Sequence, residues 1–173
     1  MPNPENILKK LEEYYTLGQK IEEMMEQELE IIRELVRELK KEYRKIVEDE
    51  RVVKFLAREL WTILVKPWDL DAKTLKEKLL NKIDEYDEEC FELAYDLTKE
   101  DALKYVTDEV IGVALRVRER LKDRIKQYNE LAEKRIRLAK YRRDIFGLEE
   151  GDILKLDNLV RLVYKCVKYA LEE

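Results

Sequence analysis

Only four glycines and three prolines interrupt this chain of 173 residues, so the backbone has few places to turn and long helices are the natural outcome. The apolar side chains recur at helical spacing along nearly the whole length. Asn3-Pro4-Glu5 reads as an N-cap, a first-turn proline and an acidic first turn. From there one set of seam positions holds Ile7, Tyr14, Ile21, Glu28, Leu35 and Glu42, and the other holds Leu11, Gly18, Met25, Ile32, Leu39 and Ile46. Nine of these twelve are apolar, and Leu8, Tyr15, Leu29, Val36 and Tyr43 widen the stripe, which favours a bundle over a bare two-stranded coil. Gly18 marks a place to kink or to pack closely.

Glu48-Asp49-Glu50-Arg51 predicts a corner. A second helix follows over 52–65, with Phe55, Leu56, Leu60, Ile63 and Leu64 as its apolar set, and Lys66-Pro67 ends it because the residue before proline is pushed out of the helical region. Asp69 or Asp71 caps a third helix over 72–98, its inner face carrying Leu75, Leu79, Ile83, Tyr86, Cys90, Leu93 and Leu97. Thr98 opens a fourth, very long one running to Phe146 and Gly147, through Leu103, Val106, Val110, Val113, Val117, Leu121, Ile125, Tyr128, Leu131 and Ile136. Asp152 or Asp157 caps a fifth, bearing Leu159, Leu162, Val163, Cys166, Val167 and Ala170. The expected fold is an all-α antiparallel bundle of about five helices, the first and fourth very long, in a single domain of residues 1–173.

Composition narrows the chemistry. The chain has no histidine and no serine, which removes Ser-His-Asp and Cys-His couples and His-ligated zinc or haem. Glycines at 18, 112, 147 and 151 make no phosphate loop. Charged residues reach 43% and hydrophobic ones 45%, a balance that fits either a hyperthermophile protein or a designed, idealised sequence, thermostable in both cases. Cys90 and Cys166 lack metal-ligand spacing and read as free, buried small hydrophobes in a reducing compartment. With no membrane-length apolar run and no leader pattern, the expected location is cytoplasmic.

Charge is segregated. Residues 69–109 hold 14 acids and 6 bases, and residues 116–143 hold 12 bases and 4 acids. The plain reading is that an acidic helix and a basic one fix each other's pairing and register. A functional alternative is a phosphate-binding stripe for RNA or DNA, densest at Arg135, Arg137, Lys140, Arg142 and Arg143, with Tyr128 or Tyr141 as stacking platforms.

The sharpest enzymatic candidate is Glu88-Glu89-Cys90-Phe91-Glu92, where Glu88 and Glu92 share a helical face and Asp108 follows at workable distance for an all-oxygen magnesium site. With Pro67-Trp68-Asp69 upstream, this stretch faintly resembles the MazG-type all-α nucleoside triphosphate pyrophosphohydrolases over residues 67–115. The resemblance implies Glu88, Glu89, Glu92 and Asp108 as magnesium ligands, with a metal-activated water attacking a triphosphate. Tyr105 stands where that family's second motif has glutamate, and EExxE recurs at 22–26, so the pattern is incomplete and cheap in so acidic a chain. The leading expectation is therefore a non-enzymatic structural or interaction protein without a cofactor, which binds a protein partner or itself.

Overall fold

The computed structural model describes residues 4–145, and all regular structure among them is helical. The helices are α1 (Pro4–Tyr43), α2 (Glu50–Leu64), α3 (Ala72–Glu85), α4 (Glu88–Tyr95), α5 (Lys99–Leu103), α6 (Asp108–Arg120) and α7 (Lys122–Asp144). The all-α reading holds, with more and shorter helices than five. The cap at Asn3, the stop at Gly147, the helix expected after Asp152 or Asp157, and Cys166 lie outside the described residues. The chain forms two compact units, Glu28–Glu130 and a second to which residues 4–27 and 131–145 belong.

In the larger unit α2 is the central rod, with Val52, Val53, Phe55, Leu56, Ala57, Leu60, Ile63 and Leu64 all buried. It packs against α3, α4 and α6, and α3 also packs on α6. Leu35, Leu39 and Tyr43 of α1 join the same core with Leu75, Leu79, Phe91, Ile111 and Val117. Each such side chain contributes about 1.5–3 kcal/mol on leaving water. The buried positions of this part of α1 are Glu28, Ile31, Leu35, Leu39 and Tyr43. A strict heptad would have placed Ile32 and Glu42 there. A straight α-helix turns about 3.6 residues per turn, so a seven-residue seam drifts, and the core takes Ile31 and Tyr43 instead.

The ends follow local chemistry. Asp49 caps α2, its side chain accepting from Arg51 N. Asp71 caps α3 with Oδ1 accepting from Thr74 N at 2.7 Å. The expected third helix breaks because Tyr86 turns extended (φ −73°, ψ 135°) and Asp87 opens α4. That break resets the helical phase. Phe91 and Tyr95 turn inward, Leu93 is left 87% exposed, and Cys90 is exposed rather than buried. α4 stops at Asp96, whose backbone is left-handed (φ 56°) and whose carbonyl accepts from Arg51 Nη1 at 2.8 Å.

The expected fourth helix is likewise divided. Thr98 does cap its start, accepting from Asp101 N at 3.1 Å, but that element ends at Leu103. Thr107 then caps α6 by accepting from Val110 N at 3.3 Å, ahead of acidic Asp108 and Glu109. Between α6 and α7 the backbone departs from helical geometry at Leu121 (φ −102°, ψ 16°), yet bonds from Leu121 N to Val117 O and from Ile125 N to Leu121 O carry across.

In the smaller unit, Arg142 of α7 lies against Tyr14 and Gly18 of α1. Its guanidinium carbon is 3.9 Å from the Tyr14 ring centre, and Nε donates to Tyr14 O at 3.1 Å. A Cβ at Gly18 would meet Arg142 Nη2 at 2.7 Å, so the glycine serves close packing. Tyr141 donates to Glu13 Oε1 at 2.8 Å.

Candidate functional site

The most concentrated chemistry in the larger unit surrounds Glu59 of α2, a carboxylate only 3% exposed. Tyr86 Oη donates to both its oxygens at 3.0 and 3.1 Å, and Tyr95 Oη donates to Oε2. Lys82 Nζ lies 3.4 Å from Oε1, 3.3 Å from Glu59 O, and within hydrogen-bond reach of Thr62 Oγ1. Lys82 thus makes two hydrogen bonds and an ion pair here, and both phenols are spent on the same carboxylate. Around them Phe55, Tyr86, Phe91 and Tyr95 pack edge-on or tilted, with centroids 5.1–5.6 Å apart. Burial, and then the bond to Glu59, raise Tyr95 well above an ordinary phenol; burial and the Glu59 charge raise Tyr86 as well. The arrangement joins α2 to α3, to the α3–α4 corner and to α4.

Lys82 and Thr62 also face a groove of about 290 Å³ beside Ile63, Trp68, Lys78 and Asn81. Trp68 is fixed at its mouth by donating Nε1 to Ile63 O at 3.0 Å. The loop before it is held from α6 and α7. Arg118 donates to the carbonyls of Leu64, Lys66 and Trp68, and Asn129 Nδ2 donates to Val65 O at 2.9 Å. Lys78 Nζ lies 3.8 Å from the Trp68 ring centre, a cation–π contact.

A second groove, about 320 Å³, lies between the end of α1 and α6. Beneath it Tyr43 Oη donates to Val110 O at 2.8 Å, and burial raises that phenol strongly. Arg120 reaches Glu38 and Glu42 at 3.6 and 3.5 Å, and Lys45 reaches Glu42 at 3.1 Å. The hydrogen bond from Lys45, ahead of the Arg120 charge, holds Glu42 below the usual carboxylate range.

The residues singled out from sequence fall elsewhere. Glu88, Glu89 and Glu92 are exposed on α4. Asp108 begins α6, its side chain 99% exposed and 3.5 Å from Lys76 Nζ. Tyr105 sits in the turn between α5 and α6, so it and Asp108 do not share a helix. Among the described residues no three Asp, Glu or Cys side chains are gathered as a cage for a metal ion. In the basic stripe, Arg137 pairs with Glu133 at 2.7 Å, Arg143 lies 3.6 Å from Asp144, Arg142 is engaged on Tyr14, Arg135 is half-buried, and Lys140 is exposed. Tyr128 packs on the core, while Tyr141 is 54% exposed.

The apolar set that marks α2 in the sequence does not include Glu59. Its signal was present: it falls four residues after Phe55 and four before Ile63, inside the apolar row. No described helix is long and apolar enough to cross a membrane. No protein-family model, no curated protein and no solved structure matches the chain.

Proposed function

We propose that this chain is a non-enzymatic helical interaction protein whose surfaces carry its function, and that its simplest partner is a second copy of itself. One observation carries the reading. The face of α1 that buries Tyr14 and Gly18 continues in both directions to Ile7 and Met25, which are 41% and 47% exposed. Residues 7, 14, 18 and 25 fall within an arc of about 40° around the helix at 100° per residue, so they form one apolar seam only partly covered. Such a seam is self-complementary and suits a two-fold pairing of like helices. The buried polar groups support the same reading, since Tyr86, Tyr95 and Lys82 are all engaged on Glu59.

The test is sedimentation equilibrium of the full chain over a wide concentration range, beside the double variant Ile7→Glu, Met25→Glu. The expected result is reversible association of the parent chain that the variant weakens, because a charge on an apolar contact face is costly to desolvate. A parent chain that stays monomeric throughout, or association indifferent to both changes, would overturn the proposal.

A further inference from the structure

We infer that the groove between α1 and α6 is a binding site for a small organic carboxylate with an apolar tail, and that Arg116 takes the carboxylate. The groove is lined by Glu42, Val113, Arg116, Val117, Glu119 and Arg120. Val113 and Val117 are 5% and 0% exposed and supply an apolar floor. Of the four charged residues at the rim, three are already matched. Glu42 meets Lys45 and Arg120, Arg120 also meets Glu38, and Glu119 meets Lys122 at 3.2 Å. Arg116 is exposed, and among the described residues no carboxylate lies within ion-pair distance of it. The groove therefore offers one uncommitted charge, in the planar fork that receives a carboxylate through two parallel hydrogen bonds.

Gly112 adds a second observation. It lies in the interior of α6, where glycine disfavours helix relative to alanine. A Cβ there would touch only Arg116 Nη1, at 3.6 Å, so packing does not require the glycine. The missing side chain leaves bare backbone beside the Arg116 guanidinium.

The chemical class follows from the count of donors. A single free guanidinium above two valines matches a monoanion with a hydrocarbon tail, whereas a phosphate dianion would call for further cations. The α2–α3 groove lacks this property, because Lys82 is paired with the Glu59 carboxylate and bonded to Glu59 O and Thr62, and Lys78 is seated on Trp68.

An NMR titration of the full chain tests the site with hexanoate, acetate, hexan-1-ol and inorganic phosphate, read at the Val113 and Val117 methyls and at the Arg116 Nε–Hε. Hexanoate is expected to give saturable shifts at all three residues, with acetate, the alcohol and phosphate each weaker by roughly tenfold or more, the scale of losing one charge-assisted contact or the tail. Arg116→Gln is expected to weaken hexanoate by about tenfold, and Arg116→Lys, which keeps the charge but not the fork, to fall between. Shifts that never saturate, phosphate or acetate binding as tightly as hexanoate, or an Arg116→Gln chain that binds as well as the parent would each overturn the assignment.

Discussion

The hydroxyl of Tyr95 donates to the carboxylate of Glu59, thirty-six residues earlier in the chain, with both groups withdrawn from water. Glu59→Ala would leave two phenols and an ammonium facing an apolar gap. Removing one partner of a buried charged pair costs about 3–5 kcal/mol, so the variant should unfold at much lower urea. Tyr95→Phe removes one donor of three and should cost about 1–3 kcal/mol. The double variant should lose less than the sum, since both changes dismantle one network. A Glu59→Ala chain as stable as the parent would show that the network contributes nothing to the fold.

Alkaline pH should weaken the protein through three of its phenols. Tyr43, Tyr86 and Tyr95 are all raised in the folded chain. A raised group adds stability that is fully present below the unfolded phenol value of about 10 and is lost as pH climbs toward the folded value. Melting temperature should therefore fall above that point. Phenolate absorbance should show most tyrosines titrating normally and a remainder appearing only with unfolding.

Two glycines should respond differently to alanine. Gly112→Ala adds a methyl group that meets only Arg116 Nη1 at 3.6 Å, so the gain in helix propensity, about 1 kcal/mol, should appear nearly whole in urea unfolding. At Gly18 the new Cβ would lie 2.7 Å from Arg142 Nη2 and push the guanidinium off Tyr14. The loss of that cation–π contact, about 0.5–2 kcal/mol, offsets the propensity gain. The decisive reading is the Arg142 Hε resonance, which should lose its ring-current shift.

The capping threonines give a graded test. Thr107→Ala removes the acceptor of Val110 N and should cost about 1 kcal/mol, with Thr98→Ala similar through Asp101 N. Asp87 stands at the N-cap of α4 without a side-chain cap bond, so Asp87→Ala should be much the milder change in thermal unfolding.

Much of the fold could be read from local signals. Asp71, Thr98 and the Lys66-Pro67 stop act where their chemistry says they should, because capping and the proline ring are local effects. The breaks at Tyr86-Asp87 and around Leu103–Thr107 were hidden, since apolar spacing continues across them without glycine or proline. At Tyr86 the reward for breaking the helix is a pair of bonds to Glu59, a long-range effect no window of sequence contains. The same limit applies to the α1–α6 groove. Arg116 is one of many cations in the sequence and stands apart only once its neighbours' partners are known.

Asp96 bears on how the chain assembles. A left-handed residue with a side chain costs roughly 1–2 kcal/mol, and here the corner is braced from outside by Arg51 at the start of α2. During synthesis Arg51 has already left the ribosome when Asp96 emerges, so the brace waits for the bend and not the reverse. A circular permutant opened between the two, with Arg51 made last, would leave that bend unsupported until the final residues arrived.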